Sequence, residues 1–178
     1  MILLNGPSSS GKSSIGRHLL PLLEEPWFLV PVDAVSGMRS TVHRRQLDEA
    51  AVAAMLRRTR RGYHRVVAAL AATGNHVIMD YPLSEGWRLA DLLDVLAGYD
   101  VTLVDVHCSP AELTRRERAR GDRPAGLAAS QNVYEHGDRD LVVDTTVTSP
   151  ADSAAAIVQG LGDLPGEKAF ERLRRSRG

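Results

Sequence analysis

Short continuous runs of hydrophobic residues alternate along this chain with longer segments in which hydrophobic residues recur every three or four positions. The continuous runs are typical of buried strands, and they lie at residues 2–4, 27–32, 76–80, 101–106 and 141–143. The segments between them have the spacing of amphipathic helices. This alternation predicts an α/β fold in which helices cover both faces of a five-stranded parallel sheet.

The longest predicted helix begins after Asp48 and ends at Gly74, and its hydrophobic residues form one stripe. Gly62 in its interior indicates a kink or a close packing contact. Arginines at positions 57, 58, 61 and 65 lie mainly off the stripe, where they form either a solvent-exposed face or an anion site. Two further helices are predicted after Ser109 and Ser149, because each serine is followed by a proline suited to the first helical position. Glu112 then stands where a capping box places its glutamate.

A loop with the spacing of a nucleotide-binding motif joins the first strand to the first helix. Its two glycines let the backbone turn tightly and approach a ligand, and its amides and the helix N-terminus attract phosphate oxygens. The lysine reaches the outer phosphates, and the serine after it is a ligand type for the Mg²⁺ that accompanies a nucleoside triphosphate. We therefore predict ATP and Mg²⁺ as cofactors. The predicted nucleotide-binding residues of the loop are Gly6, Pro7, Ser8, Ser9, Ser10, Gly11, Lys12, Ser13 and Ser14.

Two aspartates follow predicted strands, Asp33 after the second and Asp80 at the end of the third. Ligands of open α/β sheets bind at the carboxyl ends of the strands, so both aspartates should lie on the same rim as the loop. Asp80 suits a water-mediated contact to Mg²⁺, although it is also placed to cap a turn or helix. Residues 34–47 are predicted to hold a phosphoryl acceptor over this rim. Their basic side chains, Arg39, His43, Arg44 and Arg45, favour an acceptor with some negative charge.

A cluster of arginines marks the helix that begins after Ser109, and residues 121–126, bounded by glycines, follow it. Such a cluster next to a Gly/Pro-rich loop indicates a lid that closes over phosphates. A merely solvated basic helix is the alternative. The arginines are Arg115, Arg116, Arg118 and Arg120, with Arg123 in the loop itself.

Composition narrows the class of protein further. A chain of 178 residues that is 43% hydrophobic can bury one sizeable core, and we place the domain at residues 1–162 with a short tail at 163–178. The 22 basic and 22 acidic residues balance, so no overall charge favours nucleic acid or a membrane surface. The single cysteine, Cys108, allows no internal disulfide and is expected to be a small buried residue. No basic leader or membrane-spanning run is evident, which favours the cytoplasm.

These motifs together resemble the chloramphenicol phosphotransferase-like family of P-loop kinases, which is similar to shikimate, gluconate and nucleoside monophosphate kinases. The resemblance extends over nearly the whole chain. It depends on residues 3–13, on 25–27 leading to 32–33, on 119–126 and on 143–146. It implies the strand order 2-3-1-4-5 and ATP-dependent phosphorylation of a hydroxyl on a small molecule.

The family likeness also implies roles for individual residues. Asp33 corresponds to the group proposed to take the proton of the acceptor hydroxyl, and Arg120 and Arg123 correspond to arginines of the lid. Related kinases place an arginine against the adenine, and this position falls on Arg116. The loop between the fifth strand and the helix after Ser149 is itself expected to face the rim where the nucleotide base would lie, and Thr146 in this loop is predicted to bind the nucleotide.

The acceptor segment departs from the family pattern, because residues 34–47 are shorter and more basic than chloramphenicol binding leads us to expect. The acceptor is therefore open: an antibiotic, a nucleotide, or a sugar or shikimate-type metabolite. A non-catalytic ATP-binding module and a kinase acting on a larger partner are the other readings. The assignment of the two aspartates is also open: Asp33 is the base and Asp80 the metal ligand, or Asp33 is the metal ligand and Asp80 the base.

Overall fold

The computed structural model describes residues 1–40, 46–120, 126, 128, 130–164 and 166–177, with Arg120 described in its backbone only. Its centre is a parallel five-stranded sheet with the order β2-β3-β1-β4-β5, so the predicted topology is confirmed. The strands are β1 (Ile2–Asn5), β2 (Trp27–Pro31), β3 (His76–Asp80), β4 (Thr102–His107) and β5 (Leu141–Asp144).

Helices alternate with these strands along the described part of the chain. They are α1 (Lys12–Leu19), α2 (Val32–Gly37), α3 (Glu49–Ala72), α4 (Gly86–Val95), α5 (Pro110–Arg120), α6 (Pro150–Gly162) and α7 (Ala169–Arg175). None of the described helices combines the length and the apolar character needed to cross a membrane.

Local sequence signals explain where several helices begin and end. A carboxylate oxygen of Asp48 accepts a hydrogen bond of 2.7 Å from the Ala51 amide at the start of α3, and Gly74, with a φ of +86°, follows its end. The Ser149 hydroxyl accepts a bond from the amide of Asp152 at the start of α6. A side chain at Gly62 would meet no atom within 4 Å, so the predicted close packing contact at Gly62 is wrong.

The alternation of side chains along β1 divides the core between the two faces of the sheet. Leu3 packs in one layer with Tyr63 of α3 and with α4, while Ile2 and Leu4 pack in the other with α1 and α6. Phe170 of α7 is also buried in the first layer, so residues after 162 contribute to the core.

The second strand ends one residue earlier than predicted, and this changes the setting of Asp33. β2 ends at Pro31 and pairs only with β3, as expected for a proline in an edge strand. The helix α2 begins directly at Val32, so Asp33 lies in the first turn of a short helix. Of the predicted acceptor segment, residues 41–45, including His43, Arg44 and Arg45, lie outside the described residues. Cys108, predicted to be buried, is half-buried after β4.

Candidate active site

The loop between β1 and α1 has the backbone geometry that its glycines predict. A Cβ atom at Gly6 would lie 2.5 Å from the carbonyl oxygen of Val106, so no other residue fits at this position without displacing β4. Gly11 has a φ of +96°, in the left-handed region that glycine adopts readily, and Lys12 begins α1 directly after it. The N-terminus of α1 therefore points its amides toward the rim of the sheet.

Two cavities meet at this loop. The larger, of about 630 Å³, is bordered by Gly11, Ser14 and Arg116, and the smaller, of about 60 Å³, is bordered by Asp33 and Asp80. Both cavities are lined by the same three loop residues, Ser9, Lys12 and Ser13. The loop thus separates a space large enough for a nucleotide from a small space that contains two carboxylates.

Lys12 lies between the two cavities with its side chain largely buried. Only 7% of its surface is exposed, and its ammonium group donates a hydrogen bond of 2.7 Å to the carbonyl oxygen of Pro7. This bond folds the side chain back over the loop, where its charge faces both spaces. An ammonium group in this position can neutralise the outer phosphates of a bound nucleotide.

Ser13 and Asp80 meet at the edge of the small cavity, where the serine hydroxyl donates to a carboxylate oxygen of Asp80. Asp80 is only 7% exposed, so its carboxylate is sheltered from bulk solvent. Oxygen donors of this type suit Mg²⁺, which is commonly held by one or two carboxylates together with phosphates and water. No group of three or more His, Cys, Asp or Glu side chains suited to a metal occurs in the described residues. Ser13 and Asp80 therefore fit a Mg²⁺ site.

Arg116 ties α5 to the loop and to the segment after β5. Its guanidinium donates to the carbonyl oxygen of Thr145 at 2.6 Å, to the Thr145 hydroxyl at 3.1 Å, and to Glu112 at 2.8 Å. The Thr145 hydroxyl in turn donates to the carbonyl oxygen of Ser10 at 2.8 Å. Arg116 thus borders the large cavity, where its predicted contact with adenine stays a prediction.

Thr145 was missed by sequence reasoning, which singled out its neighbour Thr146. The Thr146 hydroxyl accepts a bond of 2.8 Å from the Ser109 amide, so it holds the start of α5, whereas Thr145 contacts the phosphate loop. The available signal was the position of Thr145 directly after the fifth strand, on the rim where ligands bind. Nucleotide binding by Thr146 stays a prediction.

Glu112 differs from its predicted role as a capping-box glutamate. Its carboxylate accepts hydrogen bonds from Arg115 and Arg116, and these bonds lower the pKa of Glu112 to about 2. The Ser109 amide that a capping box would satisfy donates to Thr146 instead. Glu112 therefore orients arginines beside the large cavity, because two guanidinium groups compete successfully for its oxygens.

The predicted lid falls largely outside the described residues. Residues 121–125, with Arg123, are not described, and Arg120 is described only as the last backbone position of α5. Gly126 and Ala128 are anchored to α5, because the buried carboxylate of Glu117 accepts bonds from their amides at 3.2 and 2.7 Å. The phosphate contacts of Arg120 and Arg123 stay predictions.

A buried polar network below the loop was also missed. The side-chain amide of Asn5 donates to Asp105 at 2.7 Å and to the carbonyl oxygen of Val133 at 2.8 Å, and its oxygen accepts from the Leu83 amide at 2.9 Å. Asn5 has no exposed surface, so these bonds satisfy a group whose desolvation would otherwise be costly. The network joins β1 and β4 to two segments that border the small cavity.

Two arginines, Arg60 of α3 and Arg88 of α4, lie on the side of the rim that contains Asp33. Burial lowers the pKa of Arg60 and the charge of Arg88 lowers it further, while Tyr81, Glu85 and Asp33 act in the opposite direction. Arg88 is almost fully buried and bonds Glu85 and the carbonyl oxygen of Pro82. The guanidinium of Arg60 makes no hydrogen bond to a described residue. Arg39, by contrast, donates to the Thr59 hydroxyl on α3 at 2.8 Å.

Comparison with solved structures defines the class of protein. APS kinase of Mycobacterium tuberculosis in complex with AMPPNP and APS superposes with a TM-score of 0.67 at 19% identity, covering 90% of this chain and 96% of that one. A gluconokinase from Sinorhizobium meliloti gives a TM-score of 0.64 at 20% identity and 91% coverage of both chains. Shikimate kinase from Acinetobacter baumannii in complex with shikimate gives 0.62 at 17%, covering 91% and 92%. The fold is that of the P-loop kinases.

The family model described as chloramphenicol phosphotransferase-like protein matches residues 1–161 of the chain. A Mycobacterium tuberculosis protein named "Putative O-phosphotransferase" is 30% identical over 197 residues, covering 98% of this chain and 88% of the relative. The chain therefore belongs to the chloramphenicol phosphotransferase-like family, and it is a kinase.

Proposed function

We propose that this kinase transfers the γ-phosphoryl group of ATP to a hydroxyl group of a small molecule. The observation that carries the proposal is the pair of cavities that share Ser9, Lys12 and Ser13. A nucleotide in the large cavity would present its outer phosphate at Lys12. An acceptor reaching the small cavity would meet the same point from the side of Asp33 and Asp80.

Phosphoryl transfer depends mainly on positioning and on neutralising the charge of the transferred group. In the proposed reaction, Lys12 and the N-terminus of α1 hold the phosphates, while Arg116 and Thr145 fix the wall of the nucleotide cavity. Arg120 and Arg123 would add positive charge from the lid. Mg²⁺, held through Ser13 and Asp80, would neutralise charge on the outer phosphates.

Asp33 is proposed to orient the acceptor hydroxyl and accept its proton. Its exposed position in the first turn of α2, on the small cavity, leaves it accessible to an acceptor, whereas Asp80 is buried and bonded to Ser13. This difference favours Asp33 as the base and Asp80 as the group nearer the metal. If the two roles were reversed, Asp33→Asn rather than Asp80→Asn would recover activity as Mg²⁺ is raised.

The acceptor is proposed to be a small hydroxylated compound that also carries negative charge. Arg60 supports this, because its half-buried guanidinium interacts electrostatically with Asp33 and has no hydrogen-bonding partner in the described residues. A carboxylate or phosphate on the acceptor would offset both the burial and the repulsion from Arg88. Hydroxylated antibiotics should be tested as acceptors too, because the description of the family names the antibiotic chloramphenicol.

The experiment is a screen of hydroxylated metabolites and antibiotics, grouped by charge, for an ATP-dependent mass gain of one phosphoryl group. We expect at least one anionic compound to be phosphorylated in the presence of Mg²⁺. A screen in which the protein binds ATP but phosphorylates no small molecule would favour the non-catalytic module or a larger acceptor.

A further inference from the structure

Gln131 lies in the small cavity, beside the phosphate loop. Its side-chain oxygen accepts a hydrogen bond of 2.6 Å from the backbone amide of Ser8 in the phosphate loop. Gln131 also lines the small cavity together with Lys12, Ser13 and Asp33. A neutral polar side chain thus bonds to the phosphate loop and lines the same cavity as the candidate base.

The bond to Ser8 fixes which end of the carboxamide faces the loop. A glutamine side chain carries one acceptor oxygen and an NH₂ group with two donors. Since the Ser8 amide can only donate, the oxygen must face it, and the nitrogen Nε2 is directed away from the loop. No described residue accepts a hydrogen bond from Nε2. The group therefore offers two donors beside the point where a γ-phosphoryl group would lie.

The chain around Gln131 is held firmly enough to position this group. The Val133 carbonyl oxygen accepts from the buried Asn5 side chain, and the Tyr134 hydroxyl donates to the Val106 carbonyl oxygen at 2.8 Å. The Tyr134 ring also stacks on His107, with 4.2 Å between the ring centroids. These contacts fasten the segment after Gln131 to the carboxyl ends of β1 and β4, so little reorganisation is needed when a ligand binds.

We propose that Gln131 is a catalytic residue whose Nε2 donates a hydrogen bond to an oxygen of the transferred γ-phosphoryl group. The role of Gln131 in phosphoryl transfer rests on the proposed function, whereas its contact with the γ-phosphoryl group of bound ATP does not. The donor is neutral, so it adds to the charges of Lys12 and the lid arginines without repelling them. Its bond strengthens as negative charge spreads over the phosphoryl oxygens in the transition state.

The first arm of the test measures binding without turnover. Calorimetry compares a non-hydrolysable ATP analogue with ADP for wild type, Gln131→Ala and Gln131→Glu. Losing a bond to a charged oxygen should weaken the analogue by about 10-fold in Gln131→Ala, and ADP much less, because ADP has no γ-phosphoryl group. Gln131→Glu should weaken the analogue further, since a carboxylate would face the phosphate. Equal weakening of both ligands, or of neither, would overturn the proposal.

The second arm measures turnover with the acceptor found in the screen. Gln131→Ala should lower kcat by about 10²-fold with little change in the KM for the acceptor. Gln131→Glu should recover activity relative to wild type as pH falls, because a protonated carboxyl regains a donor, whereas Gln131→Ala should not. A merely structural role predicts no such recovery and would contradict the proposal.

Asn132→Ala is the matched control, because Asn132 is the exposed neighbour and bonds only Glu135 among the described residues. Asn132→Ala should match wild type in both arms. Thermal unfolding checks that Gln131→Ala stays folded, and Gln131→Glu keeps an acceptor for the Ser8 amide in any case. If wild type phosphorylated nothing, the proposed function would fail, and the binding arm would still decide the role of Gln131.

Discussion

The two halves of the rim are built from different parts of the chain. The phosphate half, residues 6–14, 112–116 and 144–146, depends on backbone amides and on side chains that bond to backbone, as Arg116 and Thr145 do. The acceptor half, residues 32–39, 59–64 and 81–91, depends on side chains. There the Tyr81 hydroxyl is buried without a hydrogen-bonding partner in the described part of the chain, and Arg60 likewise makes no hydrogen bond there.

This difference explains why one half can be generic and the other specific. Phosphate is the same in every nucleoside triphosphate, so a loop whose backbone binds it can be shared by many kinases. An acceptor differs from one enzyme to the next, and its recognition must come from side chains that can change without altering the fold. Exchanging residues in each half should therefore have distinct kinetic effects.

The largest effect is expected at the small cavity. Asp33→Asn keeps the shape of the side chain but removes the proton acceptor, so kcat should fall by about 10² to 10⁴ while ATP affinity is nearly unchanged. Asp80→Asn should weaken nucleotide binding at low Mg²⁺ and recover partly as Mg²⁺ is raised. Measuring kcat and ATP affinity across a Mg²⁺ titration separates the roles. If raising Mg²⁺ restored activity in Asp33→Asn instead, Asp33 would be the metal ligand and Asp80 the base.

In the phosphate half, Lys12→Ala should lower kcat by about 10² to 10³ because it removes a charge that acts on the transferred group. Lys12→Arg should not restore activity, since a planar guanidinium does not fit where a compact ammonium lies. Lys168→Ala is the control, because Lys168 pairs with Asp100 outside both cavities and should leave kcat unchanged. Steady-state kinetics with saturating acceptor provides the measurement, and a fully active Lys12→Ala would remove the loop from the mechanism.

In the acceptor half, Arg60→Gln should raise the KM for an anionic acceptor by about 10-fold, the value of one charge-assisted hydrogen bond, and leave the KM for ATP unchanged. Arg58→Gln is the matched control on the same helix, because Arg58 is exposed. Initial rates over a range of acceptor concentrations give both constants. If Arg58 and Arg60 behaved alike, Arg60 would be a surface residue and the acceptor would be bound by other groups.

The smallest predicted effect concerns the stability of the acceptor half. His64 has no exposed surface, and burial lowers its pKa from the ordinary value of 6.5, although Asp91 beside it acts in the opposite direction. At a pH below 6.5 but above the lowered pKa, His64 is therefore protonated in the unfolded chain and neutral in the folded chain. The free energy of unfolding should thus decrease as pH falls below 6.5, by at most about 1.4 kcal/mol per pH unit from this residue.

Urea unfolding between pH 7.5 and about 5.5 measures this contribution. His64→Gln should flatten the dependence on pH. A wild-type protein whose unfolding free energy rose as pH fell through this range would show that Asp91 holds His64 protonated in the fold.

The phosphate half was largely predictable from sequence, and the acceptor half was not. Residues 6–14 are contiguous, so the spacing of two glycines, a lysine and a serine carries the geometry by itself. The position of Asp80 on the rim was predicted because ligands of open α/β sheets bind at the carboxyl ends of the strands. Gln131 could not be found in this way, because its partner Ser8 is 123 positions away and nothing local marks the pair.

The wrong prediction for Glu112 and the two omissions, Thr145 and Arg60, have the same physical origin. Glu112 fits a local capping pattern, but two arginines on the same helix compete for its carboxylate. Thr145 was overlooked because a strand end specifies a rim and not which of two adjacent hydroxyls turns toward the loop. Arg60 was not singled out among the arginines of the long helix, and only the packing of α3 distinguishes it from the exposed Arg58.

The central claim, transfer of the γ-phosphoryl group to a small hydroxyl acceptor, is tested most directly by following that group itself. ATP labelled in its γ-phosphoryl group is incubated with Mg²⁺, the acceptor and either wild type or Lys12→Ala, and the label is located by mass spectrometry. We expect the label on a hydroxyl oxygen of the acceptor with wild type and a much slower transfer with Lys12→Ala. Label found only in free phosphate, at a rate independent of the acceptor, would contradict the account.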